Sequence, residues 1–226
     1  MTTLILDLEA RPDPSMGEPP EGFPPLPFFQ ITTMAWLVID MGRQAKAPGD
    51  APVPPSARFG VAQGERHVLR TVAELLTKKP RLVTWNGRGF DLPLIALRSM
   101  KHHVPQRSLL TKDGGDYLYR YGGLHRDLMD AVALLGAGKS SKQHDVARML
   151  GLPGKHVGSG SEVEAMSPEQ EAAYCLDDVA QLALTDCEWM RAQGHEVEHV
   201  RDLILGAIEA EPRLGALHAH LIGGAS

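Results

Sequence analysis

All the strand-like segments of this 226-residue chain fall within its first 85 residues, and most of the helical periods follow them. That order restricts the fold to a sheet with helices packed against it. Thr3 to Glu9 alternates Leu4, Leu6 and Leu8 on one face with Ile5, Asp7 and Glu9 on the other, the period-2 pattern of a strand. Ile31 to Asp40, Ala57 to Val61 and Arg81 to Trp85 read as three further strands, with Pro-rich breaks at Arg11 to Pro27 and Ala47 to Ser56. Val68, Leu69, Val72, Leu75 and Leu76 recur at helical spacing, so a helix is predicted over Glu65 to Thr77, ended by Pro80. Asn86-Gly87-Arg88-Gly89 is a turn, and Asp91 to Met100 follows as a helix with Pro93 in its first turn. Thr111 to Gly123 reads as a polar loop or weak hairpin, and helices are predicted at Leu124 to Leu135 and Gln143 to Leu150. The clearest helix opens on Ser167-Pro168-Glu169-Gln170, which offers an N-cap, Pro at N1 and Gln at N3, and should run to about Gln193 before Gly194 stops it. Shorter helices are expected at His199 to Ile208 and Leu214 to Leu221.

Composition narrows the class. With 43% hydrophobic and 23% charged residues the chain can bury one sizeable core, and no apolar run approaches the ~18 residues of a membrane span. MTTLILDLEA lacks a basic n-region and a long apolar stretch, so a cytoplasmic location is expected. Cys175 and Cys187 fall in one predicted helix and are expected to be reduced. The net charge of -5 argues against a general nucleic-acid coating protein, yet it is unevenly spread. From Lys78 to Lys155 there are 14 Lys and Arg against 6 Asp and Glu, so the middle of the chain can meet phosphates while the rest cannot.

Three groups of residues carry chemistry. Asp7 and Glu9 share a strand face, with Cα atoms roughly 6.6 Å apart, and two such anions call for a cation. With 14 Asp and 14 Glu, a single D-x-E also arises by chance, and a solvated strand end explains it equally well. Asn86 to Asp91 (NGRGFD) joins a strand end to a helix through a glycine turn. Its plain alternative is a helix N-cap at Asp91 with Phe90 as core. Tyr174 and Asp178 lie four apart on the strongest helix and share one face, whereas Asp177 points about 100° away. Taken alone, they read as a packed tyrosine with a wet hydroxyl and a solvated acidic pair.

Together, in the order D-x-E, N-x-x-x-F-D and Y-x-x-x-D, they resemble the tyrosine branch of the DEDD superfamily of 3'-5' exonucleases (DEDDy). The segments LVTWNGRGFDLPLIALR, HRDLMD (His125 to Asp130), GLPGK (Gly151 to Lys155) and AYCLDDVAQLALTD are similar to bacterial predicted exonucleases related to the proofreading domain of family B DNA polymerases. The similarity spans Leu4 to about Met190, departing in the Pro-rich insertion after Glu9 and in Gly158 to Val163. It implies an α/β, ribonuclease H-like fold: a central mixed sheet flanked by helices, with residues 1–193 as the exonuclease domain and 194–226 as its helical C-terminal extension. It implies that Asp7, Glu9, Asp91 and Asp178 hold two divalent ions, Mg²⁺ or Mn²⁺, and that Tyr174 orients the attacking water. All-oxygen ligands suit those ions, and a phenol, with a reference pKa of about 10, positions water rather than deprotonating it. Asn86 and Phe90 are expected at the terminal nucleotide, and Arg88, Arg98, Lys101 and Lys155 are candidates for backbone phosphates. The implied substrate is the 3' end of single-stranded DNA, with RNA as the alternative, and no membrane.

Two other motifs compete. His195 to His199 is a literal H-E-x-x-H, but it follows the helix-stopping Gly194 and places charged Glu198 where metalloproteases bury an apolar residue. Ala133 to Ser140 (ALLGAGKS) is a loose Walker A match that lacks its first Gly and reads as a helix C-terminus with Lys139 at the negative end of the dipole. The competing functional classes are a catalytically weak nucleic-acid-binding or adaptor module on the same fold and, more distantly, a zinc peptidase.

Overall fold

The computed structural model describes residues 2–43, 51–111, 117–152 and 165–223. Lys155 and the segment Gly158 to Val163 lie outside the described residues. Five strands form one sheet in the order β3-β2-β1-β4-β5: β1 (Thr2–Pro12), β2 (Phe29–Asp40), β3 (Ser56–Gln63), β4 (Arg81–Thr84) and β5 (His125–Asp127). β2 runs antiparallel to β1 and β3, whereas β4 is parallel to β1 and β5 parallel to β4. β1 therefore sits at the centre, where the sheet changes from antiparallel to parallel. Its pairing with β4 covers only Thr3 to Ile5, so Asp7 and Glu9 extend past that partner on the side where β4 gives way to the Asn86 turn. The register with β2 shifts between Glu9 and Ala10, a bulge at the point where a strand must re-aim its side chains.

The alternation along β1 sorts two cores. Leu4, Leu6 and Leu8 join Met34 and Leu82 beneath α1 (Glu65–Leu76) and α2 (Asp91–His102). Ile5 joins Leu37, Val83, Cys175 and Val179 on the opposite face, which α6 (Pro168–Ala192) covers. Asp7 and Glu9 share the Ile5 face and so look toward α6. The capping box expected at Ser167 is present: the Gln170 N–H donates to Ser167 Oγ and the Ser167 N–H donates to Gln170 Oε1. That start sets the rotation of α6 and therefore the directions of Tyr174 and Asp178.

α3 (Arg107–Leu110), α4 (Leu128–Val132) and α5 (Gln143–Met149) are short connectors, and α7 (Glu198–Ala210) and α8 (Gly215–Gly223) close the α6 side through Val197, Ile204, Ile208, Leu214 and Leu217. The fold is ribonuclease H-like. Cys175 and Cys187 are free thiols, both buried. No helix among the described residues is long and apolar enough to cross a membrane.

Two expectations are corrected. Leu124 to Leu135 is not one helix: His125-Arg126-Asp127 forms β5, only Leu128–Val132 is α-helical, and a short 3-10 turn follows at Leu134–Gly136. A three-residue polar strand carries no alternation, and its register with Leu82, Val83 and Thr84 is what makes it a strand. Lys139 is not at a helix C-terminus either, since α4 ends at Val132 and its last turn holds no basic residue.

Candidate active site

Four carboxylates arrive from three elements. Asp7 and Glu9 come from β1, and ligand atoms of these two and of the Cys175 thiol all lie within 4.8 Å of one another. Cys175 Sγ accepts the N–H of Ala35, the residue paired with Asp7, and lies 3.8 Å from Asp7 Oδ2. Burial, reinforced by the charges of Asp7, Glu9 and Asp178, pushes that thiol well above its ordinary pKa. Cys175 thus feels all three carboxylates at once, a convergence its position inside a helical run does not reveal.

Asp178 is 7% exposed and lines, with Asp7, a cleft of about 540 Å³ walled by Trp85, Asn86, Met129 and the segment Ser140 to His144. The main-chain carbonyl of Asp178 accepts from Gln143 Nε2 at 2.7 Å, which fixes that wall to α6. Tyr174, one turn earlier, is also buried, and so are Asp177 and Asp178, so the solvated-surface alternative does not describe this face.

Asp91 heads α2 and is 4% exposed. It is not the N-cap, because Phe90 occupies that position and makes no side-chain cap. Burial foremost, with the Asp127 charge, pushes the Asp91 carboxyl up to about 7, against the pull of main-chain contacts at Asp91 itself and at Leu8. Leu8 lies between Asp7 and Glu9, so Asp91 meets β1 at the other two acids.

The turn from Asn86 to Phe90 is built tightly. Asn86 adopts φ 60°, a left-handed conformation that asparagine tolerates. A Cβ on Gly87 would fall 2.2 Å from Thr84 Oγ1 and 2.6 Å from Thr84 Cβ, so only glycine fits there, and one on Gly89 would fall 2.4 Å from Asn86 Oδ1 and displace the amide end. Asp127 of β5 holds the turn from below, accepting the N–H of Asn86 on Oδ1 and that of Arg88 on Oδ2, both at 2.9 Å. Asp127 lies in the His125 to Asp130 segment without a role legible from the sequence, where its one signal is a carboxylate in a motif that follows a glycine turn.

His125 is buried beside it, with Nδ1 2.8 Å from the Tyr117 carbonyl and Nε2 2.8 Å from Thr84 Oγ1. Burial first, then Arg88, depresses its pKa from 6.5 to about 4. The neutral ring donates from Nδ1 and accepts the threonine hydroxyl at Nε2. The unfolded chain protonates near pH 6.5 and the folded one near 4, so His125 makes stability fall as pH drops through that window, by about 2 kcal/mol at pH 5. Asp91, whose pKa is raised, acts in the opposite direction in metal-free protein. The expected result is that His125→Gln loses the first slope and keeps the second. Urea unfolding at pH 7 and pH 5 in EDTA, for both proteins, measures the difference, and equal pH dependence would contradict it.

The cationic candidates divide. Arg98 is 4% exposed and donates Nε and Nη2 to Glu65 at 2.6 and 2.8 Å and Nη1 to Asp13 at 2.7 Å, so it braces the fold and is not a phosphate contact. Lys101 also donates to Asp13, at 2.6 Å, while remaining partly exposed. Arg88 donates to the His125 carbonyl at 2.6 Å and lies 3.5 Å from Asp130. Lys142, which sequence reasoning passed over, lines the cleft with Asp7 and Asp178. His195 and Glu196 precede α7, which begins at Glu198, so the H-E-x-x-H stretch does not set two histidines on one helical face.

Asp7, Glu9, Asp91 and Asp178 offer oxygen donors only, and the neighbouring thiol is held protonated, so the set fits a hard divalent cation. The chain is similar in structure to a family B DNA polymerase from the hyperthermophilic archaeon Pyrobaculum calidifontis, with 19% identity and a TM-score of 0.55, covering 96% of this chain. It spans only 27% of that polymerase, and at this identity the likeness shows the fold. Comparison with the curated proteins gives no match. The family model described as predicted 3'-5' exonuclease related to the exonuclease domain of PolB matches residues 26–201, a range that holds Asn86 to Asp91, Tyr174 and Asp178 and begins after Asp7 and Glu9. The chain therefore belongs to the family of predicted 3'-5' exonucleases related to the exonuclease domain of PolB.

Proposed function

We propose that the protein is a metal-dependent DEDDy exonuclease that hydrolyses the terminal phosphodiester at the 3' end of single-stranded nucleic acid, DNA in preference to RNA. The observation that carries this reading is that Asp7 of β1 and Asp178 of α6 line one cleft, with Glu9 beside Asp7 and the Asp91 carboxyl of α2 at the Leu8 main chain between the two β1 acids. Two bound Mg²⁺ or Mn²⁺ ions would supply Lewis-acid activation of water and compensate the charge gained by the leaving 3' oxygen. Asp7, Glu9, Asp91 and Asp178 would hold them. The protein's own groups do the positioning: Tyr174 orients the attacking water, Asp127 fixes the turn that presents Asn86, Phe90 and Asp91, and Lys142 offers a cation to the phosphate within the cleft. Arg88 serves first as a brace for β5, and Lys155 is carried as a backbone contact on sequence grounds alone.

Residues 1–193 are read as the exonuclease domain and 194–226 as an extension of it, because Val197, Ile204 and Leu217 share the hydrophobic cluster of α6.

The test is degradation of 3'-labelled and 5'-labelled single-stranded DNA and RNA with Mg²⁺, Mn²⁺ or EDTA, with Asp7→Ala as the blank. Metal-dependent shortening from the 3' end, absent in the variant, is the expected result. A folded protein that binds the strands without shortening them would favour the adaptor reading instead. Tyr174→Phe is expected to lower kcat roughly 10- to 100-fold, as loss of one positioning group does, without moving the metal concentration for half-maximal rate. A wild-type kcat would remove Tyr174 from the mechanism.

A further inference from the structure

The Pro-rich insertion after β1 does more than connect two strands. Its ends are pinned: the Asp13 N–H donates to the Phe28 carbonyl at 2.6 Å, and the buried Asp13 carboxylate takes Arg98 and Lys101 from α2. Between them, Phe23 is 78% exposed and yet ordered against two other rings. Its ring centroid lies 5.4 Å from that of Phe29, tilted by 33°, and 6.3 Å from that of Phe90 at 62°. Phe29 and Phe90 complete the triangle at 5.6 Å and 75°. Phe29 and Phe90 pack on the Leu4, Leu6 and Leu8 core, and Phe90 immediately precedes Asp91, so the trio is joined to the carboxylate site through the start of α2.

What distinguishes Phe23 from the other exposed apolar side chains is that it belongs to a cluster of three rings. Phe90 and Phe29 are half-buried and hold the Phe23 ring in place, leaving its free surface outward. A flat apolar surface beside a phosphodiester-cleaving site suits one occupant, an unpaired nucleobase, because every base offers a π-face whatever its hydrogen-bonding edge. A base within a duplex keeps both faces covered by its neighbours.

We infer that Phe23, supported by Phe29 and Phe90, is a stacking platform for an unpaired base of the strand entering the active site, and so sets the preference for single-stranded ends. This rests on the exonuclease reading and adds a substrate-binding residue to it.

The test uses the full chain and Phe23→Ala and Phe23→Trp variants. For binding, a single-stranded oligonucleotide carrying 2-aminopurine near its 3' end is titrated in EDTA. For turnover, KM and kcat are measured with Mn²⁺ on single-stranded and blunt duplex DNA, and on a nucleoside 5'-nitrophenyl phosphate too short to reach the platform. Phe23→Ala is expected to raise Kd and KM on the single strand about tenfold, the order of one lost base stack, with kcat within twofold and the small substrate unaffected. The gap between single strand and duplex should narrow, and Phe23→Trp should restore it. Unchanged Kd and KM in Phe23→Ala would overturn the platform, as would an equal loss on the small substrate, which would place Phe23 in the folding of the site. A wild-type protein whose 2-aminopurine signal depends on Phe23 but which cleaves nothing would keep the platform and reject the exonuclease. A wild type that neither binds nor cleaves would reject both.

Discussion

Asp178→Asn is expected to lower the rate of 3'-end hydrolysis at least 1000-fold, about 4 kcal/mol of transition-state stabilisation, while leaving the melting temperature of metal-free protein unchanged or higher. Asp178 is buried on α6, and its charge reaches the Cys175 thiol together with those of Asp7 and Glu9. In metal-free protein these anions oppose one another, and the Asp91 carboxyl near them is pushed up to about 7 by burial foremost and by the Asp127 charge. Replacing one carboxylate by an amide of the same shape relieves that repulsion and removes a ligand at the same time. The two consequences have separate readouts. Wild-type protein should gain stability on addition of Mn²⁺, by about 2.7 kcal/mol at a hundred times the dissociation constant, and Asp178→Asn should gain much less. Activity within tenfold of wild type, or an undiminished Mn²⁺ shift in the variant, would show that Asp178 is not a ligand.

The parts of this site that the sequence displays are those set by local periodicity. The alternation of β1 places Asp7 and Glu9 opposite the Leu4, Leu6 and Leu8 face, and the capping box at Ser167 fixes the phase of α6. The two glycines of the Asn86 turn are legible for the same reason, since each answers a close approach within three residues. What could not be read depends on partners far along the chain. Asp127 meets the backbone of Asn86, 41 residues away, and β5 exists only through its pairing with β4. Cys175 looks like one more helical core residue until Ala35 and Asp7 are brought against it. Arg98 was misread because its density of neighbouring cations suggested phosphate, whereas its partners Asp13 and Glu65 lie on two other segments. Local charge counts say nothing of such long-range compensation.

That compensation is also where the largest loss of stability is expected. Arg98→Met should cost about 3–5 kcal/mol, because it removes the buried cation that bridges the buried Asp13 carboxylate and the half-buried Glu65. Arg98 Nε and Nη2 grip Glu65, and Nη1 reaches Asp13, which together with Lys101 and Ser15 holds the Asp13 carboxyl far below its usual range despite burial. Glu65 also accepts the Ile31 N–H at 2.8 Å and contacts His102, so the same cluster fastens the start of β2 to α1 and α2. Arg98→Lys is not a rescue, since a single ammonium cannot serve both carboxylates in the planar geometry of the guanidinium. Asp13 is depressed in the folded state, so its contribution is present above the unfolded carboxylate range and is lost as pH falls from that range through its far lower folded-state pKa. Removing Arg98 should therefore flatten the acid limb of the stability curve as well as lower its plateau. Because Asp13 anchors the segment that carries Phe23, the folded fraction of Arg98→Met should show a raised KM on single-stranded DNA with a smaller change in kcat. Urea unfolding at pH 7, with KM and kcat measured well below the melting temperature, checks both statements. A loss under about 1 kcal/mol would mean that the cluster behaves as a screened surface pair and does not tie the loop to the site.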